Sequence, residues 1–200
     1  VLTGNDDDDI DFDEGFMGNI QYAIVQKSNN EAPQGSNDPR GVEANSSDAE
    51  YAPETNAVLA NLHVQGGTVS EGQPGMRLRG ALTVQVHNSV VAGWTVEGCI
   101  RIDDAELADS SVVPSDVTLQ DTIGDCGAGG FYSRRAADTE LGVTGEDTGF
   151  SVTATYALEG APAPTGTAAI ESVNPDDGFM FDQTDYIGAV DPEAATGWWE

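Results

Sequence analysis

Short apolar runs that recur in a fixed order constrain this chain more than any other feature. "NIQYAIVQ" (19–26), "NLHVQG" (61–66) and "NSVVAG" (88–93) each open on Asn and continue with apolar positions, and the last two share the pattern Asn-x-x-Val-x-Gly. A second set alternates with the first: "DDIDF" (8–12), "RGVEA" (40–44), "GMRLR" (75–79) and "GCIRI" (98–102). Within the runs, Val, Ile and Leu alternate with polar residues at the strand period of two, and helical periodicity is hard to find anywhere. The chain therefore reads as pairs of short strands and is nearly all β. The first residues of the second set, Asp8, Arg40, Gly75 and Gly98, stand 32, 35 and 23 residues apart. Such intervals belong to solenoid repeats, the longer ones leaving room for loops that bulge from a coil.

In a parallel β-helix each coil supplies two or three short strands that stack on their equivalents above and below. The pattern predicts inward columns built from Ile20, Tyr22, Ile24, Leu62, Val64, Val90 and Ile100. Asn61 and Asn88 suit turn positions, because Asn tolerates left-handed backbone. An antiparallel sandwich would show similar alternation; the constant order of the repeated runs favours the solenoid. "SNNEAPQGSNDPRG" (28–41) and "NSSDAEYAPETN" (45–56) read as surface loops. The pattern divides the chain into coils over residues 1–126 and a remainder, 127–200. The remainder holds a last strand "FSVTATYAL" (150–158), a Pro/Gly-rich connector and an aromatic-rich end with Phe179, Phe181, Tyr186, Trp198 and Trp199. That end is expected to cap the open end of the solenoid.

Charge limits the partners. Asp and Glu number 35 against 7 Lys and Arg, for a net charge of −28, and Lys27 is the only lysine. At this density self-repulsion opposes compaction unless salt or cations screen it, so a cation-rich medium such as seawater or brine is expected. Nucleic acid, polyphosphate and anionic membranes are poor partners for such a surface, and no apolar run reaches the roughly 20 residues of a transmembrane helix. The opening "VLTG" has no initiator Met, as expected of a mature or trimmed fragment. Cys99 and Cys126 form no CxxC or CxxCH motif, which leaves a disulfide as the preferred pairing and an oxidising, secreted setting.

The most concentrated charge lies in "GNDDDDIDFDEG" (4–15), with seven acidic side chains in twelve positions. Alternation in "DIDFD" sends Ile10 and Phe12 to one face and Asp9, Asp11 and Asp13 to the other, carboxylates two residues apart standing about 7 Å from each other. Ca²⁺, with six to eight oxygen ligands and tolerant geometry, suits such a cluster. Asp6, Asp7, Asp8, Asp9, Asp11, Asp13 and Glu14 are therefore candidate ligands, weighed against a solvated acidic edge. The match to an EF-hand loop is weak, since Gly15 falls two places after Asp13 and no Glu follows at the twelfth position. Asp103 and Asp104 in "RIDDAE" form a second candidate site, whereas "NPDDG" (174–178) reads as a turn. His63 and His87 lie within repeated strands and read as structural, and no GxSxG occurs. Arg77, Arg79 and Arg101 alternate with apolar residues and are expected to pair with Asp9, Asp11 or Glu43 on neighbouring coils, with an anionic sugar as the alternative partner.

Residues carry a family resemblance as well. "VLTGNDDDDIDFDEGFMGNIQYAIVQ", "RGVEAN", "GCIRIDD", "TDYIGAV" and "TGWW" occur in this order in the chain. The chain thereby resembles the C-terminal part of a group of bacterial secreted or surface proteins, often lipoprotein-type, that form right-handed parallel β-helices and are mostly uncharacterised. The resemblance implies fold and compartment more than activity: an extracellular or outer-surface location, and upstream coils of which "VLTG" is the second half of a strand. The long Asp6–Asp9 run departs from the group. Two functions stay open. One is a non-enzymatic structural solenoid that self-associates end to end into filaments and is stabilised by calcium. The other is a polysaccharide-binding or polysaccharide-lyase-like β-helix.

Overall fold

A computed structural model of the chain describes residues 1–5, 7–27, 39–46, 52–67, 72–106, 112–136, 139–140, 150–152, 170–173, 178–191 and 193. The strands are β1 (Leu2–Thr3), β2 (Ile10–Phe12), β3 (Met17–Gln26), β4 (Val42–Ser46), β5 (Asn56–Gln65), β6 (Met76–Gly80), β7 (Thr83–His87), β8 (Val90–Ala92), β9 (Ile100–Glu106), β10 (Val112–Val113), β11 (Asp116–Gln120), β12 (Thr122–Asp125), β13 (Tyr132–Ala136), β14 (Thr139–Glu140) and β15 (Phe150–Val152). They stack into two parallel sheets. The first runs β1-β3-β5-β8-β12-β15, with β7 and β11 continuing it alongside; the second runs β2-β4-β6-β9-β13, with β10 and β14 attached antiparallel. Successive turns of the chain feed the sheets alternately. This is an all-β parallel β-helix, as the repeated runs predict.

Register fixes the repeat. Ile10, Val42, Met76, Ile100 and Tyr132 stack in one inward column, giving turns of 32, 34, 24 and 32 residues. Gly75 thus lies over Gly41, not Arg40, which corrects the sequence-derived intervals by one residue. The stack also passes through Cys126 without a break, since β13 and β15 continue the two sheets.

Within the first sheet each turn bends at one residue of left-handed backbone: Tyr22 (φ 62°), Asn61 (φ 50°), Asn88 (φ 47°) and Asp121 (φ 50°). Flanking pairs put these four in register, one above the next. Asn61 and Asn88 therefore do occupy the bends, where a short polar side chain tolerates positive φ. The bend also reverses the inside–outside alternation. Ala57 and Leu59 before Asn61, and Leu62 and Val64 after it, all face the main core. Tyr22, Ile24 and Val90 consequently leave the inward columns to which strict alternation assigned them. Val90 packs with Ala92, Ile123 and Ile187 on the outer face, and Ile24 is in register with His63 and Val90 on that face. Ile20, Leu62, Val64 and Ile100 do face the core.

The Asn-x-x-Val-x-Gly pattern now has a physical meaning. Asn makes the bend, Val64 and Val91 stack inward, and glycine leaves the sheet: Gly93 has φ 80°, and a Cβ on Gly66 would stand 2.7 Å from the Gly93 carbonyl oxygen. Leu2 stacks on Val25 and Thr3 on Gln26, so β1 lies in register with the part of β3 that follows its bend. The expected disulfide joins Cys99, just before β9, to Cys126, just after β12, with Cα atoms 5.5 Å apart; it closes a single turn of the solenoid inside the core. Residues of the expected cap that are described, among them Phe181, Ile187 and Gly188, lie along the outer face of the first sheet rather than over an end of the stack, and residues 170–173 ahead of them pack on the same face. Trp198 and Trp199 fall outside the described residues. No helix among the described residues is long and apolar enough to cross a membrane.

Candidate functional site

The outer face of the second sheet gathers most of the positive charge of the chain. Alternation turns Val42, Ala44, Met76, Leu78, Ile100 and Ile102 inward and sends Glu43, Arg77, Arg79, Arg101, Asp103 and Arg135 outward. Stacked strands stand roughly 4.8 Å apart, so outward residues at one register position lie directly above one another. One outward column runs Glu43, Arg77, Arg101, so two arginines are stacked directly; in the adjacent column Asp103 stands between Arg79 and Arg135. Carboxylates flank both columns.

Arg77 Nε donates to Asp103 Oδ2 at 2.7 Å and its Nη1 lies 3.8 Å from Glu43 Oε1; Arg79 Nε lies 3.1 Å from the same oxygen. Arg101 Nε donates to Asp103 Oδ1 at 2.8 Å, and Glu97 binds both Arg101 (3.5 Å) and Arg135 (3.0 Å). Burial alone would raise the Asp103 carboxyl, but hydrogen bonds from Arg101 and Arg77 hold it below the usual range. The expected pairing of Arg77 and Arg79 with Glu43 is present; Asp9 and Asp11 are not the partners. Ser133 completes the outward column at Arg101.

The acidic opening stretch is taken apart by its own strand. Asp6 lies outside the described residues. The Asp9 side chain is fully buried, its Oδ2 2.6 Å from the Nζ of Lys27, whose side chain is also fully buried. Asp8 accepts from the backbone N–H of Arg40 at 2.9 Å and lies 3.4 Å from its Nη1, which also donates to Glu43 at 3.0 Å. Burial, a hydrogen bond with Glu43 and its charge push the Asp8 carboxyl up to about 7, partly opposed by Arg40. Asp11 is raised by burial and by Glu43, Asp13 and Asp7 nearby. Asp7, Asp11, Asp13 and Glu14 are exposed, with Asp13 Oδ1 accepting from the Glu14 N–H at 2.8 Å. Among the described residues no three carboxylate, imidazole or thiol groups converge as a metal site.

Asp103 and Asp104 do not act as a pair either, because neighbours on a strand face opposite ways. Asp104 points inward, where Arg134 grips it with Nε–Oδ2 at 2.9 Å and Nη2–Oδ1 at 2.8 Å, both side chains being essentially unexposed. Ser115 closes the arrangement, donating its N–H to Asp104 Oδ1 and accepting from Arg134 Nη2 at its carbonyl, each at 2.8 Å. Sequence reasoning missed this pair, Lys27–Asp9 and the role of Glu97. Aligning "FYSRR" beneath "CIRID" would have found the first, since it places Arg134 on the inward column of Ile102 and beside Asp104. His63 and His87 lie on the other sheet, buried on its outer face; burial lowers both, His63 to about 4.

Two stacked parallel sheets joined by turns that close a coil are also what comparison with known families returns. A family model for a pectate-lyase-like beta-helix domain matches residues 1–161. The chain belongs to that family. No curated protein and no solved structure matches it. Membership accounts for the β-helix through β15 and leaves the segment on the outer face beyond the matched region.

Proposed function

We propose that this β-helix is a non-enzymatic structural solenoid of an extracellular or bacterial cell-surface protein, working in a saline medium. The observation that carries the reading is the outward face of the second sheet. Arg77, Arg79, Arg101 and Arg135, the side chains an anionic ligand would need, are each held by Glu43, Glu97 or Asp103 from their own or neighbouring turns. Such a face ties turns together; binding a polyanion there would first require breaking those pairs. The disulfide in the core fits an oxidising compartment. Incubation with uronate polymers and with neutral glycans, with and without EDTA, is the test. No binding and no new reducing or unsaturated ends are expected. Calcium-dependent depolymerisation would overturn the proposal in favour of a lyase, and saturable binding in favour of a glycan-binding module.

Self-association along the solenoid axis belongs to the same proposal. β2 ends the second sheet, and β1 covers β3 only at Val25 and Gln26, so the described strands offer backbone groups for a further turn on that side. Lateral contacts between surfaces of this charge repel, whereas an axial contact extends the existing ladders. Calcium enters as the counter-ion of the acidic edge formed by Asp7, Asp11, Asp13 and Glu14. Sedimentation and electron microscopy at seawater-like calcium are expected to show rods longer than one chain. Monomers throughout would refute assembly, and stabilisation by NaCl equal to that by calcium at matched ionic strength would reduce calcium to a screening ion.

A further inference from the structure

Solenoid turns touch only the turns above and below, so their stability is a sum of nearest-neighbour terms and the end turns open first. Segment 170–191 breaks that pattern. In its described parts it crosses the outer face of the first sheet and touches four successive turns. Asn19 and Gln21 of β3 hold its beginning and middle: Asn19 Nδ2 donates to Ser172 Oγ at 2.8 Å and Asn19 Oδ1 accepts from the Val173 N–H at 3.2 Å. Gln21 makes a two-way amide bridge to the backbone of Asp182, donating to its carbonyl and accepting from its N–H, both at 2.9 Å. One turn on, Asn61 Nδ2 donates to Thr184 Oγ1 at 3.0 Å and to the Gly188 carbonyl at 3.1 Å. On the next turn the Asn88 carbonyl accepts from the Gly188 N–H at 2.7 Å. Two apolar contacts pin it: Ile170 and Phe181 cover Val58 and Ala60, and Ile187 covers Val90, Ala92 and, on the fourth turn, Ile123.

The geometry points to a latch: segment 170–191 couples turns that do not touch one another, so that the first four turns open as one unit instead of fraying from the β3 side. Most of its polar contacts go to latch backbone, so the sheet holds the segment by shape and main chain. The outward positions it uses are unusual for an exposed strand. Val58, Ala60 and Val90 are fully buried, although they sit on the outer side of the sheet. An uncovered face with that apolar strip would not stay in water unaided.

Hydrogen–deuterium exchange on the full chain tests this. In the wild-type protein the slowest amides of β3, β5, β8 and β12 are expected to share one opening rate. A Phe181→Ser, Ile187→Ser variant removes both apolar anchors; it is expected to free the amides of Asp182 and Gly188 and to speed exchange in β3 and β5 by at least about tenfold, with β9 and β13 less affected. A released latch with unchanged exchange in β3 would overturn the inference, and so would a latch that stays protected without its anchors. Should that variant fail to fold, Gln21→Ala removes only the bridge to Asp182. It is expected to raise exchange at Asp182 and along β3 together; a rise at Asp182 alone would refute the coupling.

Discussion

His63 gives the most quantitative test of how the first sheet is built. It lies in β5 one residue past Leu62, in register with Ile24 below and Val90 above, and it is 1% exposed. Burial lowers its pKa from 6.5 to about 4. Below pH 6.5 the unfolded chain takes up a proton at this position that the folded chain refuses until about pH 4, so the unfolded state binds more protons and stability falls as pH falls. Above pH 6.5 the residue contributes no slope. Between pH 7.5 and 4.5 the linkage amounts to about 2.5 kcal/mol. Asp8 works in the opposite sense: its folded pKa is raised to about 7, so it stabilises the fold as pH falls and that contribution is lost as pH rises through 7. A wild-type curve alone would mix the two. Urea unfolding of wild type and His63→Leu at both pH values isolates the histidine, because Asp8 lies ahead of the second sheet and contributes equally to both proteins. Wild type should lose about 2.5 kcal/mol more than the variant, or about 1.2 M in midpoint for a slope of about 2 kcal/mol/M. Parallel pH curves for the two proteins would refute the claim that burial holds His63 neutral.

Three further outcomes follow from the same structure. Replacing both Cys99 and Cys126 by Ala should cost on the order of 3 kcal/mol by the chain-entropy argument, read from urea melts of oxidised and variant protein; an unreduced intact mass two hydrogen atoms heavier than the bridged chain would refute the bridge. Asp104→Asn leaves the buried Arg134 guanidinium without its carboxylate and should cost about 3–5 kcal/mol, whereas Asp103→Asn on the outward face should cost about 1 kcal/mol or less; equal costs would show that inward and outward pairs do not differ as burial requires. Amine-reactive ester should modify Lys27 in urea and not in buffer, because its side chain is fully buried against Asp9; rapid native labelling in a peptide map would refute that pair.

Alternating short strands in constant order are enough to specify a parallel stack, because each inward apolar position must meet its equivalent one turn away. What alternation cannot reveal is where parity changes. Ile20 and Tyr22 are two apart, which alternation places on one face, yet Tyr22 bends the chain at φ 62° and Ala23, not Tyr22, meets the core. The signal was present at Asn61 and Asn88, whose residue type favours that backbone, and absent at Tyr22, where only stacking on Asn61 reveals it. The same reversal hid the outer apolar strip: Val90 reads as core from sequence, and it is buried, but with Val58 and Ile123 it is covered by residues of segment 170–191 instead of the coil interior.

The charged residues were harder to place because an acidic run in sequence is only partly one in space: Asp7 and Asp13 stay near enough to Asp11 to raise its carboxyl, while Asp8 and Asp9 turn to basic partners. A strand sends Asp8, Asp9 and Asp11 to three environments within four residues: against Arg40, against buried Lys27, and toward solvent. Arg40 and Lys27 come from segments 32 and 18 residues away from their partners Asp8 and Asp9, a spacing that only the turn of the solenoid makes short. Every one of the seven basic residues, Lys27, Arg40, Arg77, Arg79, Arg101, Arg134 and Arg135, has a carboxylate within 4 Å. The interior and the second sheet are thereby close to charge-balanced, and the net charge of −28 resides in acidic groups left over from those pairs. Salt should then act mainly by screening these remaining acids, more weakly on the buried Lys27–Asp9 and Arg134–Asp104 pairs. Like charges do meet between turns, Arg77 over Arg101 and Asp11 over Glu43, but Asp103 bridges the two arginines and Arg40 and Arg79 reach Glu43, so opposite charges from the same or neighbouring turns offset that repulsion.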